Sequence, residues 1–206
     1  MNGQATVCVV DDDAPVRHLA CQILKADGHN VLSFASATEF FAAFDDNLVD
    51  CVVTDLRMPQ VDGTQLLARL REIGSAVSVV VLTGHADVRT AVRMMEDGAL
   101  TLVEKPYAPP ELASAVRRAI ERTQAQRTGR QAISGAQQGM SRLTEDERKV
   151  MDYMVAGLPN KAIAMRLDLS LRTVDRRRSA VLTKMGVGSV GELAAMVARL
   201  QGEGND

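Results

Sequence analysis

The chain has 206 residues, 46% of them hydrophobic, and a net charge of −2. That is enough apolar material for more than one small core, and no apolar run is long enough to span a bilayer. Three cysteines, Cys8, Cys21 and Cys51, are odd in number and lack metal-ligand spacing, which sets aside a disulfide framework and a zinc site. No charged-then-apolar leader opens the chain, so the expectation is a soluble cytoplasmic protein with reduced thiols and no membrane partner. The charge is unevenly spread. Residues 1–123 hold 11 Lys+Arg against 17 Asp+Glu, a balance of −6, whereas residues 124–206 hold 13 against 9, a balance of +4. Two domains with different partners are expected.

In chain order, Val7-Cys8-Val9-Val10 is a short apolar run that ends in Asp11-Asp12-Asp13. Pro15 then suits a first helical turn, and Val16, Leu19, Ala20, Ile23 and Leu24 carry a helical period to the break at Gly28. Residues 31–34 form a second strand. Ser36 and Glu39 have capping-box spacing before a helix bearing Phe40, Phe41 and Phe44. Cys51-Val52-Val53-Thr54-Asp55 reads as a strand buried on both faces, stopped by Pro59. Asp62-Gly63 marks a turn before a helix over 64–73, a fourth strand over 77–82 ends in Thr83-Gly84, and Gly98 closes a helix over 87–97. A fifth strand over 100–103 ends in Glu104-Lys105-Pro106, and a last helix begins near Pro110 and reaches at least Arg122. Strands alternating with helices predict a doubly wound parallel α/β sheet over residues 1–123.

Residues 124–141 are rich in Gln, Ala, Gly, Ser and Arg and read as a linker, helical at its start and flexible after Gly129. Residues 142–206 have only helical periods. Thr144 and Glu147 form a capping box, Gly157-Leu158-Pro159 breaks the first helix, and a short helix over 161–167 is followed by the turn Asp168-Leu169-Ser170. Helices over 171–185 and 190–200 follow. The short helix, tight turn and long helix make a helix-turn-helix pattern, whose second helix enters a DNA major groove. That helix carries Arg172, Arg176, Arg177, Arg178 and Lys184, cations suited to phosphates and guanine edges. Arg172 and Arg176 share a face that Ser179 continues, while Val174, Val181, Leu182 and Met185 face a small core.

In an open parallel sheet, chemistry collects at the carboxyl ends of the strands. Those ends bring Asp11, Asp12, Asp55, Thr83 and Lys105 to one rim. Several carboxylates repel one another unless a cation joins them, and hard oxygen donors suit Mg²⁺. An aspartate beside Mg²⁺, a lysine and a threonine hydroxyl is equipped to attack a phosphoryl donor and become an aspartyl phosphate.

The segments Val9–Asp13, Val53–Gly63, Leu82–Gly84 and Glu104–Pro106 resemble the receiver-domain motifs of two-component response regulators. The resemblance implies a flavodoxin-like receiver in which Asp55 accepts phosphate from a histidine kinase. It implies Mg²⁺ held by Asp12, by Asp11 largely through water, by Asp55 and by the Arg57 backbone carbonyl, with Thr83 as switch hydroxyl and Lys105 as counter-charge. It also implies a homodimer formed on phosphorylation through Val88, Ala91, Val92, Met95 and Leu102. Leu102 stands where many receivers carry Phe or Tyr, so a ring-flip readout is not expected. The segments Leu143–Arg148, Ala156–Ala164 and Leu169–Asp175 resemble the LuxR-type four-helix DNA-binding domain, and the whole chain resembles the FixJ-like branch of response regulators. That resemblance implies base contacts by Asp175, Arg176 and Ser179 and backbone contacts by Thr173, Val174 and Arg177 on double-stranded DNA, with RNA polymerase as a further partner. The protein is then a transcription regulator and not an enzyme. An aspartate-nucleophile phosphatase usually has a second Asp two residues after the first, where this chain has Arg57. A constitutive DNA-binding regulator with a receiver fold is the remaining alternative.

Overall fold

The computed structural model describes residues 4–84 and 88–202, with the side chains of 88–90 and 202 outside the description. The strands are β1 (Thr6–Val10), β2 (Asn30–Phe34), β3 (Cys51–Asp55), β4 (Ser78–Thr83) and β5 (Thr101–Glu104), and the helices of this part are α1 (Ala14–Ala26), α2 (Ala37–Ala43), α3 (Gly63–Glu72) and α4 (Val88–Glu96). A long α5 (Pro109–Ser141) follows, then α6 (Glu145–Val155), α7 (Asn160–Leu167), α8 (Leu171–Met185) and α9 (Val190–Gly202).

The five strands are parallel, in the order β2-β1-β3-β4-β5. Successive strand residues point to opposite faces. Cys8, Val10, Val52, Val79 and Val81 therefore pack with Phe40, Leu66, Leu67, Leu70 and Met94 on one side. Val7, Val9, Cys51, Val53, Val80, Leu82 and Val103 pack on the other with Leu24 of α1 and Leu112, Val116 and Ala119 of α5. Every residue of β3 and β4 is buried, as a central strand covered by helices on both faces requires. The three cysteines are buried and unbridged. Burial pushes the Cys8 thiol up to about 12, and Cys51 higher still, so both stay protonated and act as small core hydrophobes.

The fold divides into two compact units, Met1–Arg127 and Thr128–Asp206. α5 contributes to both. Residues expected to be flexible after Gly129 are helical through Ser141. The reason is a face the composition hid: Ala136, Gly139 and Leu143 are buried and Met140 is half-buried, a spacing of three to four that lies against the second core. Gly139 allows a close approach there: a Cβ would stand 3.0 Å from the Met185 sulfur and 3.1 Å from the Lys184 carbonyl oxygen. The second unit is all helical, built on Val150, Met151, Met154, Ile163, Val174, Val181 and Leu193. Its expected capping box is present, with Thr144 accepting from Glu147 N and Glu147 accepting from Thr144 N. Among the described residues no single helix is long and apolar enough to cross a membrane.

Candidate functional site

Parallel register delivers the rim. Thr54 pairs with Val10, Asp55 with Leu82 and Thr83 with Glu104, so β1, β3, β4 and β5 end level with one another. Asp11 is 1% exposed and Asp55 9%. The Lys105 ammonium joins them, donating to Asp11 Oδ2 at 2.8 Å and to Asp55 Oδ1 at 2.5 Å. The other oxygens are also used: Asp13 N donates to Asp11 Oδ1 at 2.9 Å, and Arg57 N donates to Asp55 Oδ2 at 2.8 Å. Burial raises the Asp11 pKa, with Lys105 opposing it. Burial pulls the Lys105 ammonium down, but its hydrogen bonds and attraction to the two carboxylates win and leave its pKa above the usual lysine value. The lysine is therefore charged at neutral pH. Thr83 is buried at the end of β4, and its carbonyl accepts from Lys105 N at 2.7 Å.

The structure thus brings Asp11, Asp55 and Lys105 into direct contact and sets Thr83 at the same rim. Asp12 is exposed and stands outside this hydrogen-bonded set. As the side chains stand, no three His, Cys, Asp or Glu groups among the described residues are gathered closely enough to hold a metal together. The donor chemistry still fits Mg²⁺, which keeps several waters and asks for only one or two carboxylates; two buried carboxylates already face a common cation here.

Two neighbours of this pocket were not legible in the sequence. Arg17, one turn into α1, donates from Nη1 to the Asp11 carbonyl at 2.5 Å. Gly63 opens α3 directly behind Asp55, and a Cβ on it would lie 2.5 Å from the Asp55 carbonyl oxygen. The sequence signalled Gly63 as part of a turn and as the end of the Val53–Gly63 motif, but not its contact with the Asp55 backbone.

On the expected dimer face, α4 turns Met94 inward and leaves Val92 and Met95 about half exposed, with Ala91 half-buried. The Val88 side chain lies outside the described residues. Leu102 is half-buried against the core on the α2–α4 side of the sheet.

The second candidate site is α8. Ser170 caps it, accepting from Thr173 N at 3.1 Å, and Gly186 closes it in the left-handed conformation at φ 68°. The half-buried Thr173 hydroxyl lies 2.8 Å from that of Ser170. Arg172, Asp175, Arg176 and Ser179 are exposed, and Arg178 is half-buried. Val174 is corrected: it is 0% exposed in the helical core, because it falls on the same inward face as Val181 and Met185, and its side chain presents nothing to DNA. Two cations are turned back onto α6. Arg177 pairs with Asp146, and Lys184 donates to both carboxylate oxygens of Glu147 at 2.6 and 2.9 Å. Asn160, at the start of α7, donates to Asp175 Oδ1 at 2.5 Å. None of these three partners was foreseen from spacing along the helix.

A sheet rim with a lysine-bridged acidic pair, followed by a helix-turn-helix unit, defines a receiver joined to a DNA-binding output. Comparison with known proteins agrees. Residues 7–117 match the response regulator receiver domain, and residues 141–197 match the bacterial regulatory proteins of the luxR family. The transcriptional regulatory protein FixJ of Rhizobium meliloti is 38% identical over 191 residues, covering 93% of this chain and 94% of that protein. Among solved structures, the response regulator StyR is 31% identical with a TM-score of 0.82, covering 96% of this chain and all of that one. Full-length FixJ from B. japonicum is 33% identical with a TM-score of 0.58, covering 97% and 98%. The chain belongs to the response-regulator family, with a receiver domain and a LuxR-type DNA-binding domain, and its near relatives are FixJ-like transcription regulators.

Proposed function

We propose that Asp55 accepts a phosphoryl group from a histidine kinase, and that this modification controls dimerisation and sequence-specific DNA binding in the cytoplasm. The observation that carries the reading is the Lys105 ammonium held between Asp11 and Asp55. An Asp55 carboxylate oxygen attacks phosphorus, the bond from phosphorus to the kinase histidine breaks, and the imidazole leaves. Three negative phosphoryl oxygens then stand beside Lys105, which is already charged and aimed at the acceptor. The Thr83 hydroxyl is a donor for one of them. Asp11, Asp12, Asp55 and the Arg57 carbonyl would hold Mg²⁺, which when bound neutralises charge on the transferring group.

The new charge biases the rim and the α4–β5 face, where Val88, Ala91, Val92, Met95 and Leu102 form the surface for a second copy. Pairing two copies sets two α8 helices on paired half-sites, in reach of RNA polymerase. Residues 1–123 and 142–206 are the two functional domains in this reading, joined by the α5 extension. Arg172, Asp175, Arg176, Arg178 and Ser179 meet bases or phosphates, and Thr173 meets the DNA backbone. Arg177 and Lys184 reach DNA only by leaving Asp146 and Glu147.

Incubation with Mg²⁺ and acetyl phosphate tests the chemistry. Intact mass should show one phosphoryl adduct on the wild type and none on Asp55→Asn. An equal adduct on both proteins would rule Asp55 out. A second reading, constitutive DNA binding, is favoured by Leu102 standing where an aromatic switch side chain is expected. It predicts the same DNA affinity with and without the adduct, whereas the switched reading predicts an increase on phosphorylation.

A further inference from the structure

The exposed stripe of α8 holds an anomaly. Arg172, Arg176 and Ser179 suit a polyanion, yet Asp175, an acidic side chain, stands exposed among them. A carboxylate pressed against DNA is repelled by the phosphates. It is tolerated only where the DNA offers it a hydrogen-bond donor. Asp175 is also not free to swing away. Asn160 Nδ2, reaching across from the first turn of α7, holds Oδ1 at 2.5 Å, which leaves Oδ2 to take one further donor.

We propose that Asp175 reads a cytosine in the bound DNA and that Asn160 is the positioning residue that holds its carboxylate for this contact. The inference rests on the docking of α8 in a major groove set out above. The major-groove edge decides the base. Guanine offers only the acceptors N7 and O6, and thymine offers the acceptor O4 and a methyl group, so both repel or ignore a carboxylate. Adenine offers the N6 amino donor but sets the N7 lone pair beside it. Cytosine offers the N4 amino group without a neighbouring acceptor, which fits a carboxylate with one oxygen left to fill. Arg172, one turn before Asp175, and Arg176, next to it, suit guanine O6 and N7 at neighbouring positions. The site read by one α8 is then a cytosine flanked by guanines on either strand.

The test selects bound duplexes from random DNA with the full-length phosphorylated protein, then measures single-base variants of the selected site. In the wild type one position per half-site should prefer cytosine by about tenfold over guanine and thymine. Asp175→Asn should transfer that preference to adenine, because an amide pairs with adenine N6 and N7 together, and should leave the other positions unchanged. Asn160→Ala should weaken the cytosine preference several-fold while the salt dependence of binding stays the same, since no phosphate contact is removed. If both variants bind with the wild-type preference at every position, the inference fails. It fails equally if Asn160→Ala loses affinity evenly across all sequences with a lowered melting midpoint, because the bond would then serve only to tie α7 to α8. A wild type that enriches no sequence would overturn the inference together with the DNA-binding reading beneath it.

Discussion

The rim of the sheet and the open face of α8 both concentrate charge, but they treat it in opposite ways. At the rim, Asp11 and Asp55 are almost wholly buried and share one lysine. On α8, Arg172 and Arg176 stand in solvent with no ion pair among the described residues, while Arg177 and Lys184 are tied to α6. A buried paired charge is coupled to folding, since removing one partner strands the other. An exposed charge is coupled to a partner molecule and contributes little to the fold. The same kind of substitution should therefore move stability in one region and binding in the other.

The largest effect is expected at Lys105. Lys105→Ala leaves two buried carboxylates facing each other without their cation, and should destabilise the receiver by about 3 kcal/mol in denaturant titrations without Mg²⁺. Added Mg²⁺ should recover part of that loss by binding the folded state. A denaturation midpoint unchanged from the wild type would mean that the rim is not coupled to folding, and the contrast with α8 would collapse.

Gly63→Ala comes next. The added methyl meets two backbone atoms, the Asp55 carbonyl oxygen at 2.5 Å and Leu56 Cα at 3.1 Å, neither of which can rotate aside. Overpacking of this kind costs about 2–3 kcal/mol. Here it also displaces Asp55, so if Asp55 takes the phosphoryl group as proposed, the rate of adduct formation with acetyl phosphate should fall along with stability. Retention of the full rate at reduced stability would show that Asp55 is insulated from its own backbone.

Two near neighbours on α8 divide the two behaviours most cleanly. Val174→Ala should cost about 2 kcal/mol of stability in the second unit, because Val174 is 0% exposed in its core. Arg176→Ala should leave stability within about 0.5 kcal/mol of wild type. It should instead weaken DNA binding and, if the guanidinium meets a phosphate, reduce the salt slope by about one. A melting loss in Arg176→Ala comparable to that of Val174→Ala would erase the distinction.

Much of this was legible in the sequence, and the parts that were not have a common cause. Short apolar runs ending in Asp11, Asp55, Thr83 and Lys105 specified both the sheet and the rim, since strand ends in a parallel sheet must converge. The assignment of Val174 to DNA came from family resemblance, although its spacing with Val181 already put it in the core. Periodicity assigns a residue to a face but does not name its partner on another helix. Asn160, Asp146 and Glu147 lie 15, 31 and 37 residues from the groups they hold, so no local pattern could announce them. The α5 extension failed for a different reason. Glycines at 129, 135 and 139 read as breakers, yet a glycine costs a helix only about 1 kcal/mol, which packing against a core readily offsets.

The smallest effect tests a lysine–carboxylate pair that resembles the rim but sits at the edge of the second core. Glu147 accepts from Lys184 at 2.6 and 2.9 Å and from Thr144 N at 2.8 Å. The Lys184 hydrogen bond, followed by the bond from Thr144 N, holds its pKa below the usual glutamate value. A carboxyl group whose pKa is lower folded than unfolded contributes stability in full above the unfolded value, about 4.3, and loses it as pH falls through the folded one. The melting midpoint of the second unit should therefore decline on acidification below about pH 4.3, and Glu147→Gln should flatten that decline while lowering the midpoint at neutral pH. Lys184 is partly open to water, which screens the pair, so the loss at neutral pH should be well below that of Lys105→Ala. If instead Glu147→Gln proved as damaging as Lys105→Ala, the ion pairs that tie α8 to α6 would belong with the buried rim, and the line between folding charges and binding charges would run through α8 itself.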